Sequence, residues 1–196
     1  MLRTPLIAGA ALSALVVAAC SKPPPTTATD STAAAASAAA PTAATPAAAA
    51  PMTAADFVTK AASTDMFEIA EAKMARNKAA SADVKKFAAM MIADHTKSTA
   101  GLKAAIAKSG QTLTPPAALA GDMQSKVDDL AKTTGADFDK AYVSQQVDAH
   151  TTALGVMRDY AASGDTPALK DFAGSTAPVV QTHLDMAQKL QASMTK

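Results

Sequence analysis

From Thr53 to Lys196 the sequence carries four long segments in which apolar side chains recur every three or four positions. This spacing places the apolar residues on one face of an α-helix, and we find no segment whose alternation is typical of a half-buried β-strand. Capping residues and helix breakers place these helices at residues 54–79, 82–108, 137–162 and 167–194. Because an amphipathic helix must bury its apolar face against another element, the sequence predicts an all-α helical bundle.

The lengths of the connections predict how the helices are arranged. Only a few residues separate the first helix from the second, and the third from the fourth, so each pair must be antiparallel neighbours. The middle connection is longer and contains a predicted short helix that ends at Gly135. Its apolar residues at helical spacing are Leu119, Met123, Val127 and Leu130. Two hairpins joined by one long crossover are typical of a ferritin-like four-helix bundle.

The first nineteen residues have the composition of a secretion signal. Arg3 gives a positive start, and the apolar run from Pro5 to Val17 is too short to span a membrane. We therefore expect residues 1–19 to be removed as a signal peptide. The motif Val17-Ala18-Ala19-Cys20 resembles the lipobox of bacterial lipoproteins, in which the cysteine is diacylated.

The residues around the predicted cleavage site indicate where the protein is located. Cys20 is the only cysteine, which is the expected number if its thiol carries lipid. The alternative is an ordinary cleavage after Ala19 or nearby, which leaves Cys20 as a free thiol. Ser21 rather than an aspartate follows the cysteine, and by resemblance to Gram-negative lipoproteins this favours the outer membrane. We expect an exported protein, lipid-anchored at the periplasmic face of the outer membrane.

Composition divides the remaining chain in two. Residues 20–52 are almost entirely Ala, Pro, Thr and Ser, so they cannot bury enough apolar surface to fold, and we expect a disordered tether. Residues 53–196 form one domain of ordinary size. Without Arg3, the 18 Lys and Arg residues become 17, against 17 Asp and Glu. This neutral balance argues against a nucleic-acid partner or a basic membrane patch, so the lipid anchor is the one membrane contact we expect. The sequence identifies no protein partner.

The chain contains three histidines, and each lies near the middle of a different helix, in the centre of its apolar stripe. They are His95, His150 and His183, and Glu68 occupies the same position on the remaining helix. Packed helices would bring these four side chains to one layer, where imidazole and carboxylate ligands suit one first-row transition-metal ion such as zinc, or copper, iron or nickel. Glu71 and Asp94 lie at the edges of their stripes, where we expect each to orient a metal-binding side chain without binding the metal itself.

A metal-free polar cluster, in which histidines hydrogen-bond to Glu68, is the alternative. A buried ionised Glu is costly unless it is paired, and three imidazoles supply more partners than one carboxylate needs, which favours a metal. Two metals are not expected, because di-iron bundles carry Glu-x-x-His on two helices. Here Ile92 and Val180 stand three residues before His95 and His183.

Three functions follow from these possibilities. They are a metal-binding protein for storage, sensing or buffering, a metalloenzyme, and a structural or interaction protein of the envelope with a metal-free core. We expect binding rather than catalysis and assign no catalytic residue, because a catalytic metal needs an open coordination position that a sequence does not display.

The domain also resembles a known family, the bacterial domain-of-unknown-function family 4142, often described as exported or outer-membrane proteins. The residues that carry the resemblance are Phe57-Val58 with Glu68 and Glu71, Val84-Lys85-Lys86-Phe87-Ala88 leading to Met91-Ile92-Ala93-Asp94-His95, Phe138-Asp139 with Tyr142 and His150, and His183-Leu184. The resemblance covers essentially the whole domain. It implies a ferritin-like four-helix fold in the envelope and brings no established reaction with it.

Overall fold

The computed structural model describes residues 51–195 and contains five α-helices. They are α1 (Ala54–Lys78), α2 (Ala82–Ser109), α3 (Gly121–Lys132), α4 (Gly135–Ser163) and α5 (Pro167–Met194). Within residues 51–195 there is no β-strand, and one isolated backbone bridge pairs Ala79 with Gly135. The prediction of an all-α fold is therefore confirmed. The predicted signal peptide, Cys20 and all but the last two residues of the predicted tether lie outside the described residues.

The four long helices begin and end within two residues of the predicted positions, and at α1 and α2 local capping explains the agreement. The Thr53 hydroxyl accepts a hydrogen bond from the backbone N–H of Asp56 at 3.2 Å, and the Ser81 hydroxyl accepts one from Asp83 at 3.2 Å. Gly110 ends α2 in the left-handed conformation with a φ of 67°.

The short helix differs from the prediction at its end. The hydroxyl and backbone N–H of Thr133 both donate to the carbonyl of Leu130, so α3 ends at Lys132. Gly135 does not end this helix. It is the first residue of α4, where its φ of 61° turns the chain into the new direction.

Contacts between helix ends define the topology. The bridge between Ala79 and Gly135 places the end of α1 beside the start of α4. At the other end of the bundle the backbone N–H of Ala54 donates to Asp165, in the turn between α4 and α5, at 3.3 Å. Helices α1 and α5 therefore run in one direction and α2 and α4 in the other, and α3 lies in the crossover that returns the chain. This connectivity confirms the predicted ferritin-like arrangement.

The buried interior consists of two apolar clusters with polar side chains between them. The first cluster lies around the start of α1 and includes Phe57, Leu102, Leu154, Tyr160, Leu169 and Phe172. The second lies around the start of α2 and includes Val84, Phe87, Met91, Leu130, Phe138 and Tyr142. Between them lies what we call the histidine layer, made of Asp65, Glu68, His95, His150 and His183, all buried.

Two further observations concern the helix surfaces. None of the helices within residues 51–195 is long and apolar enough to cross a membrane. On α5, the helical pattern predicts that both Val179 and Val180 face the core. The structure buries Val180 and leaves 44% of Val179 exposed, because consecutive residues of a helix point about 100° apart.

Candidate metal centre

Three helices bring the three histidine rings to one place in the bundle. His95 comes from α2, His150 from α4 and His183 from α5, and each is at least 95% buried. The ring centroids are 5.7 Å apart for His95 and His150, 5.5 Å for His95 and His183, and 5.4 Å for His150 and His183. The rings thus form a nearly equilateral triangle. One nitrogen of each ring lies within 4.8 Å of the corresponding nitrogen of the other two.

Glu68 approaches this triangle from α1. Its Oε2 atom lies 2.6 Å from Nε2 of His95 and 3.1 Å from Nε2 of His150. Despite these distances, neither carboxylate oxygen of Glu68 and neither Nε2 atom has a hydrogen-bond partner of acceptable geometry. The atoms are therefore close without pointing at one another. Glu68 contacts two of the three histidines that the sequence predicts it to join.

Each histidine is held through the ring nitrogen on its outer side. Nδ1 of His95 contacts Oδ1 of Asp65 at 2.8 Å, and Nδ1 of His150 donates to the backbone carbonyl of Gln146 at 2.8 Å. Nε2 of His183 contacts Oδ2 of Asp94 at 3.0 Å. Because a carboxylate or carbonyl only accepts hydrogen bonds, the outer nitrogen of each ring carries the proton.

When the rings are neutral, the inner nitrogens consequently have free lone pairs. They are Nε2 of His95, Nε2 of His150 and Nδ1 of His183, and all three are buried without a hydrogen-bond partner. Metal-binding histidines are held in this way, with one nitrogen donating to a carboxylate or carbonyl and the other on the ion.

Asp65 is a member of the site that the sequence analysis missed. It is 4% exposed and, besides contacting His95, it accepts a hydrogen bond from the Thr99 hydroxyl at 3.0 Å. Its position three residues before Glu68 places it on the same face of α1, one turn away. That spacing is the sequence signal that could have identified it.

The two carboxylates predicted to orient a ligand have different surroundings. Asp94 contacts His183 directly, as described above. Glu71 is fully buried and accepts a hydrogen bond from Nε2 of Gln146 at 3.0 Å. Its link to a histidine passes through Gln146, whose backbone carbonyl holds His150.

Burial and nearby charges shift the pKa values of the layer in opposite directions. Burial by itself would raise the pKa of Glu68, but the three histidines, His95 most strongly, outweigh it and lower that pKa. Burial would lower the pKa of His95, but Glu68 and Asp65 raise it to about 10. Without a metal, these shifts favour a protonated His95 beside an ionised Glu68, with the second proton of the ring on Nε2, the atom that a metal ion would take over. Burial lowers the pKa of His183 despite the contact with Asp94.

The carboxyl group of Glu71 differs from that of Glu68 in its charge. Burial raises its pKa to about 8, against the lowering effect of the hydrogen bond from Gln146, and the charge of Glu68 adds to the rise. Glu71 is therefore mainly protonated at neutral pH, and Glu68 is the ionised one of the two.

The dimensions of the triangle fit a single transition-metal ion. Three nitrogen ligands about 2.0–2.1 Å from one tetrahedral ion lie ~3.4 Å from one another. One nitrogen from each ring lies within 4.8 Å of the other two, so binding would need the most distant pair to close by up to ~1.4 Å. Three imidazoles with one carboxylate beside them are donors that zinc, copper and related ions accept, whereas calcium and magnesium prefer more oxygen.

Comparison with known proteins places the chain in a family. The family model described as "Domain of unknown function (DUF4142)" matches residues 26–190. The chain belongs to this family. It is also similar to a solved structure described as "CopM in the Cu(II)-bound form", with 17% sequence identity and a TM-score of 0.62 over 73% of this chain and 98% of that chain. At this identity the likeness shows a common helical-bundle fold. No curated protein matches the sequence.

Proposed function

We propose that this is a metal-binding protein of the bacterial envelope, which holds one first-row transition-metal ion at the centre of its bundle. The observation that carries the proposal is the division of the imidazole nitrogens. Each outer nitrogen is held by Asp65, Asp94 or the carbonyl of Gln146, and each inner nitrogen is buried without a partner. Burying an unpartnered polar atom is costly, so three of them close together support a site for a shared ligand.

The ion would be bound by the inner nitrogens of His95, His150 and His183, with Oε2 of Glu68 as the fourth donor. The carboxyl groups of Asp65, Glu68 and Asp94 surround the rings and favour a divalent cation. A bound ion would replace the proton of His95, whose pKa is raised to about 10 by Glu68 and Asp65 against the effect of burial. Metal binding should therefore release a proton and become tighter as pH rises.

Copper and zinc are the ions to test first. For a given set of nitrogen and oxygen donors, divalent copper binds more tightly than zinc or nickel. The structurally similar CopM is described in a Cu(II)-bound form, which makes copper a reasonable choice for this chain as well. Storage, buffering and sensing all require only that the ion binds and is released.

The decisive experiment measures the metal content and metal affinity of the mature protein purified from the periplasm. We expect one equivalent of a transition metal and saturation by one equivalent of Cu²⁺ or Zn²⁺ after stripping. His150→Ala should lose tight binding, whereas Tyr142→Phe, which changes another buried polar side chain, should keep it. A protein that binds no ion in stoichiometric amount would refute the proposal.

Anchoring to the membrane is a separate part of the proposal. We propose that Cys20 carries the lipid, because Val17-Ala18-Ala19-Cys20 resembles a lipobox. Cys20→Ala should move the protein from the membrane fraction to the soluble periplasm, with Ser21→Ala as the matched control that stays on the membrane. If Cys20→Ala still fractionates with membranes, the anchor is elsewhere.

A metal-free structural role is the second candidate, and one observation favours it. Nε2 of His95 lies 2.6 Å from Glu68, and the pKa of His95, raised by Glu68 and Asp65, makes this a charged pair without any metal. Such a pair can fix how helices align in a bundle. The metal titration separates the two candidates, because a purely structural layer would neither bind Cu²⁺ tightly nor gain stability from it.

A further inference from the structure

We propose that the ion reaches and leaves the histidine layer through the seam between α2 and α5, and that Asp94 is the first protein ligand it meets. This inference rests on the proposed function and adds the route and the residue that receives the ion.

A small cavity touches the three histidines on one side. Its volume is about 20 Å³, which is room for about one water molecule. The inner part of its wall is formed by His95, His150 and His183. The outer part is formed by residues of α2 and α5, namely Asp94, Ser98, Thr176 and Val179. The cavity therefore extends from the proposed ligands towards one particular seam of the bundle.

A surface groove begins where this cavity ends. It has a volume of about 270 Å³ and lies along α2 and α5. The same four residues, Asp94, Ser98, Thr176 and Val179, line both the groove and the cavity. These four side chains thus form the wall between solvent and the histidines. Val179 is 44% exposed, so this part of the wall is in direct contact with solvent.

Asp94 is placed to receive a cation at this wall. One third of its side chain is exposed to solvent, while its Oδ2 contacts His183 at 3.0 Å. An ion bound by the carboxylate of Asp94 would lie next to His183, one of the three rings of the imidazole triangle. The hydroxyls of Ser98 and Thr176 stand beside the same route and can replace some of the water that the ion loses.

The opposite side of the bundle offers a comparison. A groove of about 480 Å³ between α1, α3 and α4 is lined by Thr64, Phe67, Gln145 and Asp148, among others. It shares one residue, Thr64, with the histidine cavity, whereas the groove along α2 and α5 shares four. Phe67 is 3% exposed and lies in the floor of this groove. Asp148 is an exposed carboxylate on this side, which makes it a matched control for Asp94.

The width of the seam is tested by measuring exchange rates. Cu²⁺ would be transferred between the mature protein and a chromophoric chelator in a stopped-flow instrument. Val179→Ala should widen the opening through the seam and speed both uptake and release several-fold. Thr176→Leu should narrow the opening and slow both. The dissociation constant should change little, because a barrier on the route alters both rates by the same factor. Unchanged rates in both variants would overturn the proposed route.

The charge of the seam is tested in the same instrument. Asp94→Asn keeps an oxygen that can accept from His183 but removes the charge, so uptake should slow by about tenfold at low salt. Lys97→Gln, in the same groove, should speed uptake, and both effects should shrink as salt is added. Asp148→Asn should leave uptake unchanged. Equal slowing by Asp94→Asn and Asp148→Asn would overturn the role of Asp94. Failure to bind Cu²⁺ at equilibrium would overturn both proposals, whereas unchanged rates with intact binding would overturn this one alone.

Discussion

The histidine layer and the apolar clusters on either side of it are equally buried, yet different forces stabilise them. In the first cluster the rings of Phe57 and Tyr160 stack with centroids 4.1 Å apart, and removing such surfaces from water is favourable in itself. In the layer, His95 and Glu68 are buried with their charges, which is costly unless each polar atom finds a partner. The clusters therefore hold the bundle together, and the layer has to be supported by them.

The incomplete pairing within the layer is what the proposed metal site would explain. Asp65, Asp94 and the carbonyl of Gln146 each pair with one outer ring nitrogen, whereas no inner ring nitrogen makes a well-directed hydrogen bond. A layer that only aligned helices would gain stability from pairing the inner atoms too. The comparison predicts that changes in the clusters affect folding alone, whereas changes in the layer affect metal binding first.

The largest expected effect lies in the first cluster. Phe57→Ala removes a fully buried ring that stacks on Tyr160 and packs edge-on against Phe172. We expect the free energy of unfolding, measured by urea titration, to fall by about 3–5 kcal/mol. Val179→Ala, at an exposed position, should stay within about 0.5 kcal/mol of the parent. The folded fraction of Phe57→Ala should still bind one ion. Loss of binding in that fraction would contradict the prediction that changes in the apolar clusters affect folding alone.

The next effect lies in the layer and appears only when metal is added. At free Cu²⁺ between 100 and 1,000 times the dissociation constant, the free energy of unfolding should rise by about 3–4 kcal/mol through linkage. His150→Ala should lose most of this gain and remain helical by circular dichroism. Tyr142→Phe is the control that keeps the gain. A similar gain in the His150→Ala protein would show that the ion binds elsewhere.

A smaller effect is expected one turn from the layer, at Glu71. Burial and Glu68 hold its pKa at about 8, against the hydrogen bond from Gln146, so the folded state keeps a proton that the unfolded chain loses near 4.5. The folded protein binds more protons between pH 4.5 and 8, and the stability due to this group is lost as pH rises through that window. Glu71→Gln keeps an oxygen that can accept from Gln146, and it removes the loss of stability that this group causes as pH rises.

We therefore compare urea unfolding of Glu71→Gln and the parent, both metal-free, at pH 5 and pH 8. Between pH 5 and pH 8, the free energy of unfolding of the variant should rise by about 1–3 kcal/mol relative to that of the parent. His95 also loses stabilisation as pH rises, because its pKa is raised by Glu68 and Asp65 against burial. Since both proteins contain it, its effect cancels in the difference. Parallel pH profiles would show that Glu71 is ionised in the folded state.

The sequence predicts well what local chemistry and periodicity determine. Helix ends follow from short-range caps such as Thr53 and Ser81, which act within one turn. Because side chains three or four residues apart share a helix face, the central position of each histidine in its stripe already indicated a common layer. The crossover could also be predicted, because the length of the middle connection is read directly from the positions of the helices along the chain.

Side-chain contacts between helices are less predictable. Asp65 was missed because its spacing from Glu68 places it on the same helix face but does not show whether its carboxylate is buried or solvated. Its partners, His95 and Thr99, lie on another helix. Which ring nitrogen faces inward also depends on partners from separate elements, such as Asp94 of α2 for His183 of α5. Gly135 was misplaced because a positive φ serves the end or the beginning of a helix equally well.

The smallest expected effect compares two tyrosines, one in each apolar cluster. The hydroxyl of Tyr160 donates to Oδ1 of Asp165 at 2.7 Å, whereas the hydroxyl of Tyr142 is buried without a partner. Removing a satisfied hydroxyl loses a hydrogen bond, and removing an unsatisfied one relieves a desolvation cost. Tyr160→Phe should therefore lower the free energy of unfolding by about 1 kcal/mol, and Tyr142→Phe should leave it unchanged or raise it by up to about 1 kcal/mol. Urea midpoints of the two variants give the comparison directly. If Tyr142→Phe destabilised the protein as much as Tyr160→Phe, the Tyr142 hydroxyl would have a bonding partner in solution, and the second cluster would contain a polar site of its own.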